Sequence, residues 1–373
     1  MNGGGGIAER RLERLRALLA RSGDDALLAF SPAYRRDHVR FLAGFNPIGN
    51  WAMALLFSDG PVVAFVEHPW DRERVVREAC AREVYGGSEV FPGLVAALAR
   101  RRVRGLGVVG LEMMETRFVE ALRRVPNVAY RSASKLLENI RMVKEPDEVA
   151  AMREAARVAD LGYRALLKAC RVGRPEYEIA AEVEAAIRAE GAEDNFMILC
   201  SGGREVMGMH PPGTRRLRAG DFVSAEVTPQ VRGYYAQVCR TLVVGPPRPT
   251  QAKAFDIFLR AQQAALKILR PGVSVAELAM EQNRVFQEEG FGEYTSRRYT
   301  RVRGHGLGMY LDESPMIVED NETVVKAGMT LIPHPNTYLP VAGYLVLGDP
   351  VLVTADGYER LNGLEQELFV VEA

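Results

Sequence analysis

The chain has 373 residues, 47% of them hydrophobic and 26% charged, so it is long enough for two soluble domains with separate cores. Lysine plus arginine and aspartate plus glutamate number 48 each, so no net charge favours nucleic acid or an acidic membrane surface. The cysteines are scattered without a CxxC pair, no apolar run is long enough to span a bilayer, and the N-terminus lacks the apolar core of a signal peptide. These features predict a cytoplasmic protein that binds neither nucleic acid nor membranes.

Residues 1–140 predict an α/β domain, because short apolar runs alternate there with charged helical patterns. Such alternation is typical of a mostly parallel sheet with both faces covered. No glycine-rich loop follows a predicted strand, so a nucleotide site is not expected. The predicted strands are 26–30, 52–57, 62–66 and 106–111, and the predicted helices are 7–21, 71–82 and 115–124.

The C-terminal part of the chain contains an internal repeat. A shift of 99 residues superimposes 165–191 on 264–290 with ten identities. Both copies have the pattern of a helix, a glycine turn, a second helix and a glycine stop, with room for one helix between the two glycines. The repeat predicts a duplicated α/β unit with a functional cleft where its two halves meet.

Several short motifs follow one another in a characteristic order and spacing, at 37–45, 140–144, 209–212, 233–241, 304–306 and 328–330. Together they resemble the creatinase, aminopeptidase P and methionine aminopeptidase superfamily. The resemblance implies a creatinase-type N-terminal α/β domain over 1–140, a duplicated "pita-bread" catalytic domain over 141–373, an α/β (α+β) fold overall, and a homodimer.

The same resemblance bears on metal binding, because peptidases of that superfamily hold two divalent cations with two aspartates, one histidine and two glutamates. Two cations carry four positive charges, and the one or two carboxylates at the corresponding positions here cannot balance them. A two-cation centre is therefore not expected. The positions fall on Glu226, Gln237, His305, His334 and Gly348, or on Asp349 in place of Gly348 if the register slips by one residue.

The metal-free branch of the superfamily, typified by creatinase, is similar in 233–235 and 240–242 and uses a histidine at the position of His210 as acid/base. This resemblance implies hydrolysis of a C–N bond in a small metabolite or dipeptide-like substrate, without a cofactor. The implied catalytic residues are His210, Glu226, His305 and His334.

Further residues are expected to bind the substrate. For three of them a structural role stays open: Cys239 as an inert buried thiol, Arg303 as part of a solvated arginine-rich loop, and Trp51 as a core tryptophan instead of a residue that reaches the partner's pocket. The expected substrate contacts are Gln237, Cys239, Arg303, Asp312, Glu313 and Trp51.

Two other functions stay open. The first is an Xaa-Pro-type dipeptidase or aminopeptidase with one divalent ion on Glu226, His305 and His334, since two imidazoles and a carboxylate suit zinc or a similar metal. The second is a pseudo-enzyme that binds a peptide or protein in the inherited cleft. The lack of an acidic tail or an extra domain favours an enzyme.

Overall fold

The computed structural model describes residues 4–373, with side chains described from residue 9 onward. The chain divides into two compact units, Met1–Arg141 and Met142–Ala373. Each unit has hydrophobic clusters of its own and mixes helices with sheets, which confirms the predicted α/β class. Within residues 4–373, none of the helices combines the length and the apolar character needed to cross a membrane.

The N-terminal unit is built on a six-stranded sheet with the order β4-β3-β2-β1-β5-β6. Its apolar core contains side chains from strands and helices alike. The strands are β1 (Ala26–Pro32), β2 (Trp51–Phe57), β3 (Val62–Val66), β4 (Ala81–Gly86), β5 (Gly105–Val109) and β6 (Ala129–Ser132). The helices are α1 (Gly4–Ser22), α2 (Asp37–Ala43), α3 (Arg72–Glu78), α4 (Val90–Arg100), α5 (Thr116–Arg123) and α6 (Ser134–Met142).

This sheet is mixed, which differs from the mostly parallel sheet predicted. Strand β2 runs antiparallel to both β1 and β3, whereas the other three pairings are parallel. Strands β2 and β3 are antiparallel because the connection 58–61 that joins them is far too short for a crossover between parallel strands. The helix predicted over 71–82 is also shorter, because the chain enters β4 at Ala81.

The C-terminal unit contains two principal sheets, β17-β10-β8-β7 with β9 added to β8, and β11-β12-β15-β16. A separate two-stranded hairpin is formed by β13 and β14. The helices are α7 (Pro146–Ala169), α8 (Glu176–Ala189), α9 (Pro249–Ile268) and α10 (Val275–Glu288). The strands are β7 (Asp194–Gly202), β8 (Phe222–Val231), β9 (Tyr234–Tyr235), β10 (Val238–Val244), β11 (Gly304–Gly306), β12 (Thr330–Pro333), β13 (Thr337–Leu339), β14 (Gly343–Leu345), β15 (Val351–Val353), β16 (Tyr358–Arg360) and β17 (Phe369–Val371).

The internal repeat corresponds to helix pairs of matching position. Helices α8 and α10 have the same length and begin 99 residues apart, and α7 and α9 end 99 residues apart. The glycines that follow these helices, Gly173, Gly191, Gly272 and Gly290, all have positive φ between 80° and 96°. Glycine adopts this left-handed conformation without a Cβ clash, so the glycine turns and stops of the repeat end the helices as predicted.

Strand alternation in β8 separates the core from the functional face. Val223, Ala225 and Val227 point into the apolar cluster beneath α7 and α8. Ser224 and Glu226 therefore point to the opposite face of the sheet, where they bond to groups from the second half of the unit. The sheet thus places one buried carboxylate on the face where the two halves of the repeat meet.

Candidate active site

The centre of the candidate site is the carboxylate of Glu226, which is 3% exposed. The Gln237 side-chain amide donates to one oxygen at 2.9 Å, and the Asn336 amide donates to the other at 2.8 Å. The thiol of Cys239, directly across the β8–β10 pair, donates to the second oxygen at 3.6 Å. Neutral donors from both halves of the repeat therefore hold this carboxylate.

Burial raises the pKa of Glu226 from 4.5 to about 7. The donated hydrogen bonds oppose that rise, whereas the nearby charge of Asp312 adds to it. Among the described residues, no lysine or arginine forms a salt bridge with Glu226. The carboxyl group therefore changes its charge near neutral pH, as a general acid or base at that pH must do.

Two imidazoles, those of His305 and His334, form the neighbouring part of the site. Their ring centroids are 5.1 Å apart and the rings meet edge to face. His305 is the middle residue of β11. Its Nδ1 lies 2.9 Å from the Gly306 carbonyl, and its Nε2 lies 3.0 Å from an Asp312 carboxylate oxygen. Both nitrogens of His305 thus face acceptor oxygens, which fixes the orientation of the ring.

His334 differs from His305 in its surroundings. It is buried, and its Nδ1 has no hydrogen-bond partner among the described residues. Burial, together with the positive charge of His305 and Arg303, holds the pKa of His334 well below its usual value. His334 is therefore a neutral imidazole with an unused buried nitrogen.

The side-chain amide of Gln237 has a free acceptor, whereas the thiol of Cys239 is unreactive. The Gln237 side chain is buried, and its carbonyl oxygen has no partner among the described residues. This oxygen can accept a hydrogen bond from a substrate. Burial and the adjacent Glu226 raise the pKa of Cys239 well above its ordinary value, which supports the alternative of an inert thiol.

The register after β14 places Gly348, not Asp349, beside the site. Gly348 exchanges two backbone hydrogen bonds with Cys239, and a Cβ at Gly348 would lie 2.8 Å from the Cβ of His334. Asp349 points to the opposite face, where Arg240 binds it at 2.5 Å. A side chain at Gly348 would therefore collide with His334, and Asp349 is already neutralised elsewhere.

The structure does not bring His210 into this cluster. His210 lies in the long loop between β7 and β8, where its ring is exposed. Its Nδ1 lies 2.9 Å from the carbonyl of the next residue, Pro211, and none of the described contacts joins it to Glu226, His305 or His334. The geometry therefore gives no support to His210 as the acid/base.

Arg303 and Glu313 are held in structural contacts instead of lining an open pocket. The fully buried guanidinium of Arg303 donates to the Asn283 side chain and to the Asn336 carbonyl, and burial lowers its pKa to about 10. Glu313 accepts from the Lys144 ammonium at 3.1 Å and from a backbone amide at 3.1 Å. Both residues thus stabilise the loops that carry the site.

Asp312 lies at the opening of the site, since its side chain is 48% exposed while it contacts His305. Trp51 belongs to the other unit, in strand β2. It is 7% exposed and packs edge-on against Phe118 at 4.8 Å within the core of that unit. This position supports the alternative of a core tryptophan and not the predicted substrate contact.

Asn336 is a site residue that the sequence reasoning missed. Its side chain donates to Glu226 and accepts from the Leu347 amide, while its carbonyl accepts from Arg303. The available signal was its position two residues after His334, because alternate residues of an extended segment share a face. Asn336 therefore connects the carboxylate to the buried arginine.

Comparison with known proteins identifies the family of the chain. Residues 150–355 match the model for metallopeptidase family M24, and residues 11–143 match the creatinase/prolidase N-terminal domain. The M24 match covers more than half of the chain. The chain belongs to metallopeptidase family M24.

Similar proteins and structures match between 64% and 99% of the chain. An Xaa-Pro dipeptidase from Pyrococcus furiosus is 27% identical over 96% of this chain and 99% of its own length. A probable dipeptidase PepE from Mycobacterium bovis is 34% identical over 64% of this chain and 63% of its own. The solved structure of dipeptidase PepE from Mycobacterium ulcerans is 27% identical, covers 99% of both chains and has a TM-score of 0.84.

Membership of family M24 confirms the predicted superfamily, the predicted pair of fold types and the predicted class of enzyme, a hydrolase of a C–N bond. It also overturns one prediction. A hydrolase without a cofactor is wrong for this chain, because M24 is a family of metallopeptidases and its members among the relatives are named as dipeptidases. A divalent cation is the cofactor that the family indicates.

The residues present do not fit a pair of cations. Within residues 9–373, no three side chains of His, Cys, Asp or Glu are grouped so as to hold a metal ion. Both oxygens of Glu226 already accept hydrogen bonds, and Glu226 and Asp312 together supply two negative charges against four. The unpartnered Nδ1 of His334 is one donor in this cluster that a single cation could use.

Proposed function

We propose that the protein hydrolyses the peptide bond of a dipeptide or dipeptide-like substrate at the Glu226 cluster. The observation that carries this proposal is a buried carboxylate, held by Gln237 and Asn336 between the two halves of an M24 fold. The dipeptidase names of the relatives support the substrate class. Peptide-bond hydrolysis needs a group that moves a proton at neutral pH, and Glu226 has the required pKa.

In this proposal each side chain has a limited task. Ionised Glu226 takes a proton from the attacking water and delivers it to the leaving nitrogen, so the net reaction adds water across the C–N bond. The free carbonyl oxygen of Gln237 accepts from a substrate N–H. His305 contacts Asp312 through Nε2 and so holds that carboxylate at the opening of the site, where the substrate enters.

The family's cation requirement is met here by at most one ion per chain. This stoichiometry follows from the charge count, because a second divalent ion would bring two further positive charges into a buried cluster with no carboxylate to balance them. Elemental analysis of protein purified without chelator is expected to give no more than one Mn, Co, Zn or Fe per chain. Two ions per chain would contradict the proposal.

The activity test uses Xaa-Pro and other dipeptides, with the protein assayed after chelation and after addition of Mn²⁺, Co²⁺ or Zn²⁺. We expect turnover of at least one dipeptide and a loss of at least about 100-fold in kcat for Glu226→Gln, in line with removal of a general base. The matched control is Glu288→Gln, an exposed glutamate at the end of α10, which is expected to leave kcat unchanged. Equal activity of the two variants would contradict the assignment.

A further inference from the structure

A cavity outside the Glu226 cluster has an unusual charge. It has a volume of about 460 Å³ and is bounded by the loop after β7, the turn before β8, the start of α9 and the turn between β13 and β14. Four arginines and two acidic residues line it, an excess of two positive charges. The four arginines are Arg204, Arg215, Arg218 and Arg248, and the two acids are Glu205 and Asp221.

One of these arginines is fully engaged with the protein. Arg215 binds both carboxylate oxygens of Asp221, at 2.6 and 2.9 Å, and donates to the Ser201 hydroxyl at 2.8 Å. Glu205 lies 3.7 Å from the same guanidinium and accepts from the Gly203 amide. The two acids are therefore used by Arg215 and by the backbone, and they form one fixed wall of the cavity.

The other three arginines have no such partners. Among the described residues, the guanidinium groups of Arg204, Arg218 and Arg248 make no hydrogen bond and no salt bridge, although the charge of Arg218 helps to lower the pKa of Glu205. All three residues are exposed and line the same cavity. Arg248 immediately precedes α9 and its guanidinium lies over Gly220, a residue with positive φ of 83°. A Cβ at Gly220 would lie 3.3 Å from that guanidinium.

Three unpartnered guanidinium groups around one concavity favour a multiply charged oxyanion. Each guanidinium offers a planar pair of N–H donors that matches two oxygens of a phosphate, and the concave shape concentrates the positive potential. We propose that this cavity is a binding site for phosphate or for the phosphoryl group of a small organic molecule. Val341 and Ala342 supply an apolar side that suits the organic part of a phosphomonoester.

The site is separate from the proposed peptidase chemistry, because none of its lining residues belongs to the Glu226 cluster. The two sites are nevertheless joined through the β13–β14 hairpin. Val341 and Ala342 form the turn of this hairpin, and Tyr344 on β14 receives a hydrogen bond at its carbonyl from Ser224, two residues before Glu226. Because the two sites share no lining residue, anion binding can be measured independently of peptidase activity.

The test is titration of the full-length protein with inorganic phosphate and with phenyl phosphate, followed by calorimetry at constant ionic strength set with sodium chloride. We expect saturable binding of one anion per chain. Tighter binding of phenyl phosphate would identify a phosphorylated organic molecule as the ligand, and equal binding would identify free phosphate. No saturable binding of either compound would overturn the proposal.

The decisive variant is Arg218→Gln/Arg248→Gln, which removes two of the three unpartnered guanidinium groups and leaves the Arg215 pair intact. We expect the Kd for phosphate to increase at least about tenfold, because two sets of charged hydrogen bonds are lost. The matched control is Lys267→Gln/Arg270→Gln, which removes the same charge from exposed residues at the other end of α9. The control is expected to bind as the wild type does.

Equal weakening in the variant and in the control would show a general charge effect and would overturn the proposal. Thermal melting in sodium chloride checks that each variant is folded. If the double variant does not fold, Arg204→Gln, on an exposed loop, provides a second test, with an expected increase in Kd of at least about threefold. An unchanged Kd for Arg204→Gln in that case would also overturn it.

Discussion

At the scale of single residues, Glu226 is the group whose surroundings most strongly affect its chemistry. Its carboxylate is buried, and the donors that hold it are two amides and a thiol. Neutral donors stabilise the ionised form less than a cation does, so burial prevails and the pKa rises to about 7. The same group therefore changes its charge near neutral pH and is costly for stability when ionised.

The raised pKa of Glu226 predicts a pH dependence of stability in protein kept free of metal with EDTA. Between pH 4.5 and about 7 the native state binds more protons at this site than the unfolded state, so its contribution to stability falls as pH rises. The full effect is about 3 kcal/mol. Urea unfolding at pH 5 and pH 8 measures it.

Glu226→Gln serves as the comparison, because it removes the titrating group. The fall in unfolding free energy between pH 5 and pH 8 is expected to be smaller in this variant than in the wild type by about 2 to 3 kcal/mol. Glu288→Gln, which alters an exposed glutamate, should retain the wild-type dependence. An identical fall in all three proteins would contradict the shifted pKa.

Gln237 allows a second prediction at this scale. Gln237→Glu places a second carboxylate where an amide now donates to Glu226 at 2.9 Å. Without metal the two carboxylates repel each other, so we expect the melting temperature in EDTA to fall by about 5 °C. Added Mn²⁺ or Zn²⁺ should restore it, and by more than these ions affect the wild type.

The control for this change is Gln263→Glu on the exposed face of α9. It adds the same charge away from the site, so its melting temperature should change little in EDTA and should not respond to metal beyond the wild-type response. A fall in Gln237→Glu that metal does not reverse would show that the added carboxylate cannot share a cation with its neighbours.

At the scale of elements, the segment after β14 is fixed by a buried salt bridge. Asp349 and Arg240 are both fully buried and lie 2.5 Å apart, and Asp349 also accepts from Asn362 and Gln366. Arg240 belongs to β10, whose Cys239 exchanges hydrogen bonds with Gly348. The salt bridge therefore fixes the register that places Gly348 against His334.

Asp349→Asn tests this role. Loss of one partner leaves the Arg240 charge buried without a counter-ion, so we expect a loss of about 3 to 5 kcal/mol in the free energy of unfolding. Asp256→Asn breaks an exposed pair with Arg260 on α9 and should cost less than about 1 kcal/mol. Urea unfolding of both variants measures the difference, and similar losses would contradict the proposed role.

Prediction from sequence was most accurate for elements whose ends are set by residues close in the chain. The repeated helices end at glycines with positive φ, because a left-handed residue there requires no Cβ. The length of α3, by contrast, depended on where β4 joins the edge of its sheet beside β3. Pairing with a distant strand is not visible in a local hydrophobic pattern.

At the scale of the whole molecule, each unit contains its own apolar core. The N-terminal cluster includes Phe30, Trp51 and Phe118, and all of its members lie before residue 141. A domain with a core of this kind can fold alone. The homodimer expected from the resemblance stays a prediction.

The fragment 1–142, which ends with α6, is therefore expected to fold by itself. Thermal denaturation followed by far-UV circular dichroism should show one cooperative transition, and amide exchange should protect the strands of the six-stranded sheet. The matched control is the fragment 1–104, which ends before β5 and β6 and so lacks two of the six strands. Non-cooperative melting of the longer fragment would contradict this prediction.

The sequence by itself determined the family, the duplicated helices and most of the residues near the site. These features depend on motifs, helix periodicity and glycine positions, whose causes lie within a few residues of one another. The correspondence that put Glu226, Gln237, His305 and His334 in one pocket depended on the order of motifs along the chain. The prediction of no cofactor failed because it depended on the resemblance to the metal-free creatinase branch, whereas the chain belongs to a metallopeptidase family.

The tertiary structure alone decided the surroundings of those residues. It gave Glu226 its neutral donors, showed Asn336 among them, and left His210 and Trp51 outside the cluster. It also directed Asp349 toward Arg240, away from the site. Some of the deciding partners lie more than a hundred residues apart in the chain, as Asn336 does from Glu226 and Asp349 from Arg240. Such partners and burial set the pKa and the orientation of a side chain whose identity the sequence already shows.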